Sequence, residues 1–217
     1  MPNRTTASKP PLAVNRYGSL DVPLSVWTVE GPDDLVDGLL IELAPTGPVA
    51  AIDLPGWTAL PLGGRATRLF WRTRATHTAL ATLPDAARQR TTAQHVTRTT
   101  LAAKLTTEQR LGMVAASAWL LRCPSGLDAA AGALRPGGSL AVIGRTEQDA
   151  VDIATLIDTS ASPSLTSDLD FAAYLVAAST TGLDAAVRAA DGEAVTAARH
   201  WVVGVWCKRE PRAGAHG

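Results

Sequence analysis

The chain has 217 residues, of which 46% are hydrophobic, 18% charged and 5% aromatic. That suffices for one α/β domain with at most an added hairpin or arm, and it excludes a disulfide miniprotein and a charge-dominated disordered chain. The 20 basic and 20 acidic side chains cancel, yet nine cations (Arg65, Arg68, Arg72, Arg74, Arg88, Arg90, Arg98, Lys104 and Arg110) crowd into residues 65–110 against two acids, Asp85 and Glu108.

Residues 1–30 lack the apolar core of a secretory signal and read as an extended N-terminal arm. Residues 31–43 (GPDDLVDGLLIEL) predict a helix: Pro32, Asp33 and Asp34 suit its N-terminus, and Leu35, Leu39 and Leu43 share one face. PVAAIDLPGW (48–57) reads as a short buried strand entering a tight turn. A small helix over 58–62, the stop Gly63-Gly64 and a second strand, ATRLFW (66–71), complete the opening of a parallel sheet.

Residues 72–110 show only weak helical periodicity, around 76–90 and 98–110. LGMVAASAWLLR (111–122) predicts a buried strand, punctuated by Cys123-Pro124-Ser125-Gly126. Then follow a helix (LDAAAGAL), a turn (RPGG), a buried strand SLAVIG (139–144) and a helix over 147–157. FAAYLVAAS (171–179) is a strand, 183–198 an Ala-rich helix, and HWVVGVWCK (200–208) a final strand. Residues 209–217 read as a flexible tail.

The two cysteines, Cys123 and Cys207, form no CxxC pattern, and a reducing cytoplasmic setting is the simplest expectation. No run of about 18 apolar residues occurs, so no membrane span is expected. Histidines 77, 95, 200 and 216 show no ligand spacing, and no metal is expected. G-x-S-x-G, Walker-type and H-E-x-x-H patterns are absent, which leaves hydrolase, P-loop and zinc-protease readings without support.

The order of elements, and above all Ala-Leu-Arg-Pro-Gly-Gly-Ser-Leu-Ala-Val-Ile (133–143), resembles class I S-adenosylmethionine-dependent methyltransferases. There an L-x-P-G-G-x-L-x-V turn precedes the fifth strand. Within that superfamily, Asp53-Leu54-Pro55-Gly56-Trp57-Thr58 is most similar to the first motif of the DNA-modification (amino-group) branch. The resemblance implies an α/β, Rossmann-like fold over 31–208: a mostly parallel sheet with an antiparallel last strand, and helices on both faces. It places Asp53, Gly56 and Thr58 at the cofactor and Ser117 and Trp119 at the acceptor, a flipped base stacking on the aromatic ring. Arg65, Arg68, Arg72, Arg74, Arg88 and Arg90 would then hold nucleic-acid phosphates.

Three positions depart from the pattern. Gly56 is the single glycine of the cofactor loop and bulky Trp57 follows it, whereas such loops need glycines for backbone approach to the ligand. Arg72, Thr73 and Arg74 follow the second strand, where the fold carries a carboxylate for the ribose hydroxyls. Ser117-Ala118-Trp119 lacks the proline pair of the amino-methylating turn. These departures favour a degenerate, non-catalytic relative that serves as a binding or partner subunit and needs no cofactor. The alternative is an active methyltransferase using S-adenosylmethionine on a base amino group. The expected partners are nucleic acid, through the 65–110 band, or another protein, and no membrane.

Overall fold

The computed structural model describes residues 13–17, 20–28, 46–160, 169–178 and 200–210. Among these described residues nine strands form one sheet: β1 (Ala13–Tyr17), β2 (Leu20–Thr28), β3 (Val49–Ile52), β4 (Thr67–Trp71), β5 (Thr91–His95), β6 (Leu111–Ser117), β7 (Leu134–Gly144), β8 (Leu169–Ala178) and β9 (His200–Lys208). Their spatial order is β1-β2-β8-β9-β7-β6-β3-β4-β5. The helices are α1 (Ala59–Leu62), α2 (Arg74–Ala81), α3 (Asp85–Gln89), α4 (Leu101–Leu105), α5 (Gly126–Ala133) and α6 (Glu147–Ser160), with a 3-10 turn at Ala118–Arg122.

Strands β5, β4, β3, β6 and β7 are parallel to one another, and β9 runs antiparallel to both β7 and β8. A parallel strand covered by helices on both faces is buried on both, which is why VAAI and LGMVAA read as unbroken apolar runs. Alternate residues serve opposite layers. Ala50, Ile52, Phe70, Val114, Val142, Val202 and Trp206 face the layer of α4, α5 and α6. Val49, Ala51, Leu69, Met113, Ala141, Ile143 and Val205 belong to the other layer, with Leu60 of α1 and Ala87 of α3.

The remaining expectations meet the structure as follows. Within residues 1–30, positions 13–17 and 20–28 are extended and form a hairpin that widens the sheet, β2 lying parallel to β8. The strand at 91–95 was not expected. It is a border strand, TTAQH, without an apolar run. The strand expected over 111–122 stops at Ser117, and its apolar remainder AWLLR coils into the 3-10 turn. The RPGG turn is absorbed into β7 as an irregularity: Leu111 pairs with Leu134 and Met113 with Ser139, with Gly137 at φ +70° between. The helices expected over 31–43 and 183–198 lie outside the described residues. Among the described residues no helix is long and apolar enough to cross a membrane, and no three His, Cys, Asp or Glu side chains gather to hold a metal.

One local device fixes the entry to α6. Thr146 Oγ1 accepts the Asp149 N–H at 3.1 Å, while Asp149 Oδ2 accepts the Thr146 and Arg145 N–H groups at 3.1 Å each. This reciprocal cap satisfies donors at the helix start. The other oxygen of Asp149 takes Arg122 at 2.7 Å, and Asp152 takes the same guanidinium at 2.8 Å. Burial pushes the Asp149 carboxyl up, but the N–H donors, the Thr146 hydroxyl and Arg122 together hold it below the usual carboxylate range. A depressed folded value stabilises above the unfolded value, and that stability is lost as pH falls through the folded one. Asp149→Ala is therefore expected to cost about 1–2 kcal/mol at pH 7. In urea melts its gap from the wild type should close below about pH 4.

Candidate functional site

The connections from β3 to β4 and from β4 to β5 advance toward one border with their helices on one face. The connection from β6 to β7 advances the other way, with α5 on the opposite face. The loops after β3 and β6 therefore part company at the carboxyl ends of the strands, where sheets of this kind form a crevice. Open α/β sheets bind their ligands at such a switch point.

Asp53 stands at its lip. Ile52 pairs with Ala116 on β6 and with Phe70 on β4, so Asp53 and Ser117 are the next residues outward on adjacent strands. The Asp53 N–H continues the ladder to the Phe70 carbonyl at 2.8 Å, after which the chain turns at φ +46°. A non-glycine residue in that left-handed region is uncommon, though Asp tolerates it better than most. Gly56, at φ +74°, completes the turn, and its carbonyl accepts the Ala59 N–H at 3.1 Å. Thr58 precedes α1 but its side chain makes no cap hydrogen bond. Trp57, 2% exposed, drops into the layer beneath with Leu54 and Leu60, and its indole N–H has no partner. The loop that the resemblance assigns to a cofactor is thus anchored by an aromatic side chain.

Arg72, just beyond β4, crosses the crevice. Its Nε and one terminal nitrogen each lie 3.0 Å from Asp53 Oδ2. The guanidinium also sits 5.2 Å from the centroid of the Trp119 ring, within cation–π range. The Asp53 side chain is 7% exposed and that of Arg72 47%. The positions read separately from the sequence as a cofactor ligand and as its misplaced cation are therefore partners in one ion pair.

Ser117 Oγ is buried at the end of β6 without a hydrogen-bond partner. Trp119 is half-buried, packed on the core of one layer while its ring meets Arg72. Cys123, which sequence reasoning did not single out, donates to the Trp119 carbonyl at 3.4 Å. Burial pushes its thiol up, against the pull of Arg98 and Arg72. Arg98, from the loop after β5, reaches over to the Arg122 carbonyl. Sequence reasoning counted Arg98 in the basic band but had no sign that it would meet the loop after β6.

The structure thus gathers Asp53, Arg72, Ser117 and Trp119 at the switch point, with Gly56 and Thr58 on the adjoining loop. Arg74 begins α2 on the same rim. Arg65, Arg68, Arg88 and Arg90 lie at the opposite, amino ends of the strands. Arg68 binds Glu108 at 3.3 Å, and Arg88 binds Asp85 at 3.5 Å and the Leu83 carbonyl at 2.9 Å. A cavity of about 300 Å³ lies elsewhere, among the 3-10 turn, α5 and α6, lined by Leu121, Arg122, Leu127, Asp152, Thr155 and Leu156.

This strand order, with its antiparallel β9 and its switch point between β3 and β6, is the Rossmann-like fold of S-adenosylmethionine-dependent methyltransferases. Among solved structures, the chain is similar to the glycopeptide N-methyltransferase MtfA complexed with S-adenosyl-L-methionine, at TM-score 0.53 and 11% identity over 86% of this chain and 97% of that one. The sinefungin complex of MtfA matches at TM-score 0.53 and 10% identity, with the same coverage of both chains. The methyltransferase domain of bacterial CtHen1-C matches at TM-score 0.54 and 10% identity, over 82% of this chain and 97% of that one. At these identities the likeness is one of fold. No protein-family model matches the sequence, and no curated protein matches it.

Proposed function

We propose that this chain is a non-catalytic relative of the S-adenosylmethionine-dependent methyltransferases, working as a binding or partner subunit whose cofactor crevice is held shut by its own side chains. The observation that carries this reading is Arg72, bonded to Asp53 and lying against Trp119 at the switch point. MtfA takes S-adenosyl-L-methionine in the same fold; a guanidinium here competes for the crevice and presents positive charge to a sulfonium. The loop geometry agrees, since Trp57 is committed to the layer below and Gly56 is left as the loop's one glycine.

A second reading, an active methyltransferase on a nucleic-acid base amino group, draws on the unpartnered Ser117 hydroxyl, two residues before Trp119 in the chain. In that case Asp53, Gly56 and Thr58 would meet the cofactor, and Ser117 and Trp119 would position the acceptor amine for direct displacement at the methyl carbon. Calorimetry and thermal shift with S-adenosylmethionine and S-adenosylhomocysteine separate the two. A ligand at 100 times its dissociation constant adds about 2.7 kcal/mol of stability. The closed-crevice reading expects no heat and no shift at about millimolar ligand, where a ligand of about micromolar affinity, roughly 1,000 times below that concentration, would add about 4 kcal/mol. A saturable shift in the unaltered protein overturns it in favour of the enzyme.

A further inference from the structure

The cations of the 65–110 band divide by strand end, and their counter-charges divide with them. Both acids of the band, Asp85 and Glu108, sit at the amino ends of the strands and pair there with Arg88 and Arg68. At the carboxyl ends, around β4 and β5, stand Arg72, Arg74, Arg98 and Lys104. Asp53 answers Arg72, and the acids further along the rim, Asp149 and Asp152, are both held by Arg122. Arg98 and Lys104 bond to the neutral carbonyls of Arg122 and His95, so their charges are oriented but not cancelled.

A cluster of rings ends the same two strands. Trp71 ends β4 directly opposite His95 at the end of β5. Its centroid lies 4.6 Å from that of His95 and 4.5 Å from that of His77 on α2. Trp71 is half-buried and packs on the layer below, while both imidazoles are exposed.

We infer that the carboxyl-end rim of β4 and β5 binds single-stranded nucleic acid. Arg74, Arg98 and Lys104 take phosphates, and unstacked bases lie against the rings grouped at Trp71. Cations on the same rim as exposed rings can track a backbone while its bases stack, and a duplex hides the base faces. The inference names the partner for the binding-subunit reading and rests on that reading only in treating the molecule as a binder. Cofactor titration and oligonucleotide titration fail independently of each other.

The test is fluorescence anisotropy of the full chain with a labelled oligothymidylate and a duplex of equal length, across a salt series. Three phosphate contacts predict that log affinity falls with log salt at a slope of about −2. The single strand should bind more tightly than the duplex. Arg74→Glu with Arg98→Glu should weaken binding about tenfold or more and flatten the slope. The reversal of two cations at the far ends, Arg90→Glu with Arg110→Glu, should leave it unchanged. All four positions are exposed, and circular dichroism checks that each variant folds. No binding at low salt, a preference for duplex, or equal loss from the two reversals overturns the inference.

Discussion

Trp206→Ala is expected to destabilise the protein by about 3–5 kcal/mol, the range for emptying the site of a buried large aromatic. Trp206 is 1% exposed, and its ring lies across Gly204, two residues back on the same face of β9. A Cβ built at Gly204 would stand 2.7 Å from Trp206 Cζ3 and 3.0 Å from Ile153 Cγ2 of α6. The missing side chain at 204 is therefore the space the indole occupies, and Gly204→Ala should cost about 2–3 kcal/mol by overpacking. The two changes should not add. With Trp206 already replaced by leucine, Gly204→Ala should cost less than about 1 kcal/mol, a coupling of the size seen between touching residues. Urea unfolding of the four members of the cycle reads this directly, and strict additivity would show that the ring does not lie over Gly204.

Arg72→Ala should have the largest effect on ligand binding. It withdraws the guanidinium from the crevice, uncovers the face of Trp119, and leaves the Asp53 carboxylate to accept from hydroxyl or amino groups of a ligand. The expected result is saturable heat with S-adenosylmethionine or S-adenosylhomocysteine, and at least tenfold tighter binding than in the unaltered protein. The substitution also leaves Asp53, itself 7% exposed, without its partner. Because Arg72 is half in solvent, the stability cost should be about 1–2 kcal/mol rather than that of a fully buried pair. Arg72→Ala with Asp53→Asn should recover that stability but not the binding. If Arg72→Ala binds no better than the original, the ion pair is not what closes the crevice.

The fold was legible where burial is two-sided. VAAI, LGMVAAS and SLAVIG announce central parallel strands because both faces of each are covered, whereas Pro136 with Gly137, read as a turn before the strand, is an irregularity within β7. Border strand β5 was not legible, because TTAQH has no buried residue on either face and no apolar run. The 118–122 stretch misled for the opposite reason: Ala118 and Leu120 are as buried in a 3-10 turn as they would be in a strand, and composition alone does not separate the two.

At the site, Asp53, Ser117 and Trp119 are picked out by the resemblance, Asp53 as the acid of the first motif and Ser117 and Trp119 as the polar and aromatic members of the amino-methylating turn. That Arg72 answers Asp53 could not be picked out, since the pairing depends on β3 and β4 lying side by side in register. The basic band has the same origin. Nine cations are close together along the chain, but β4 and β5 are each 5 residues long, and only the strand positions decide which end each cation meets.

The placement of β9 bears on how the molecule is made. Residues 200–208 lie between β7 and β8, so the sheet exists as two separate pieces until the last of its strands has been synthesised. At ~5–20 residues per second, translation from Gly144 to Lys208 takes on the order of several seconds. During that time the outer edge of β7 presents unpaired amides and carbonyls on the nascent chain. Closing the gap is then a zipper of two antiparallel ladders at once, which makes completion of the sheet a single late event rather than a gradual one.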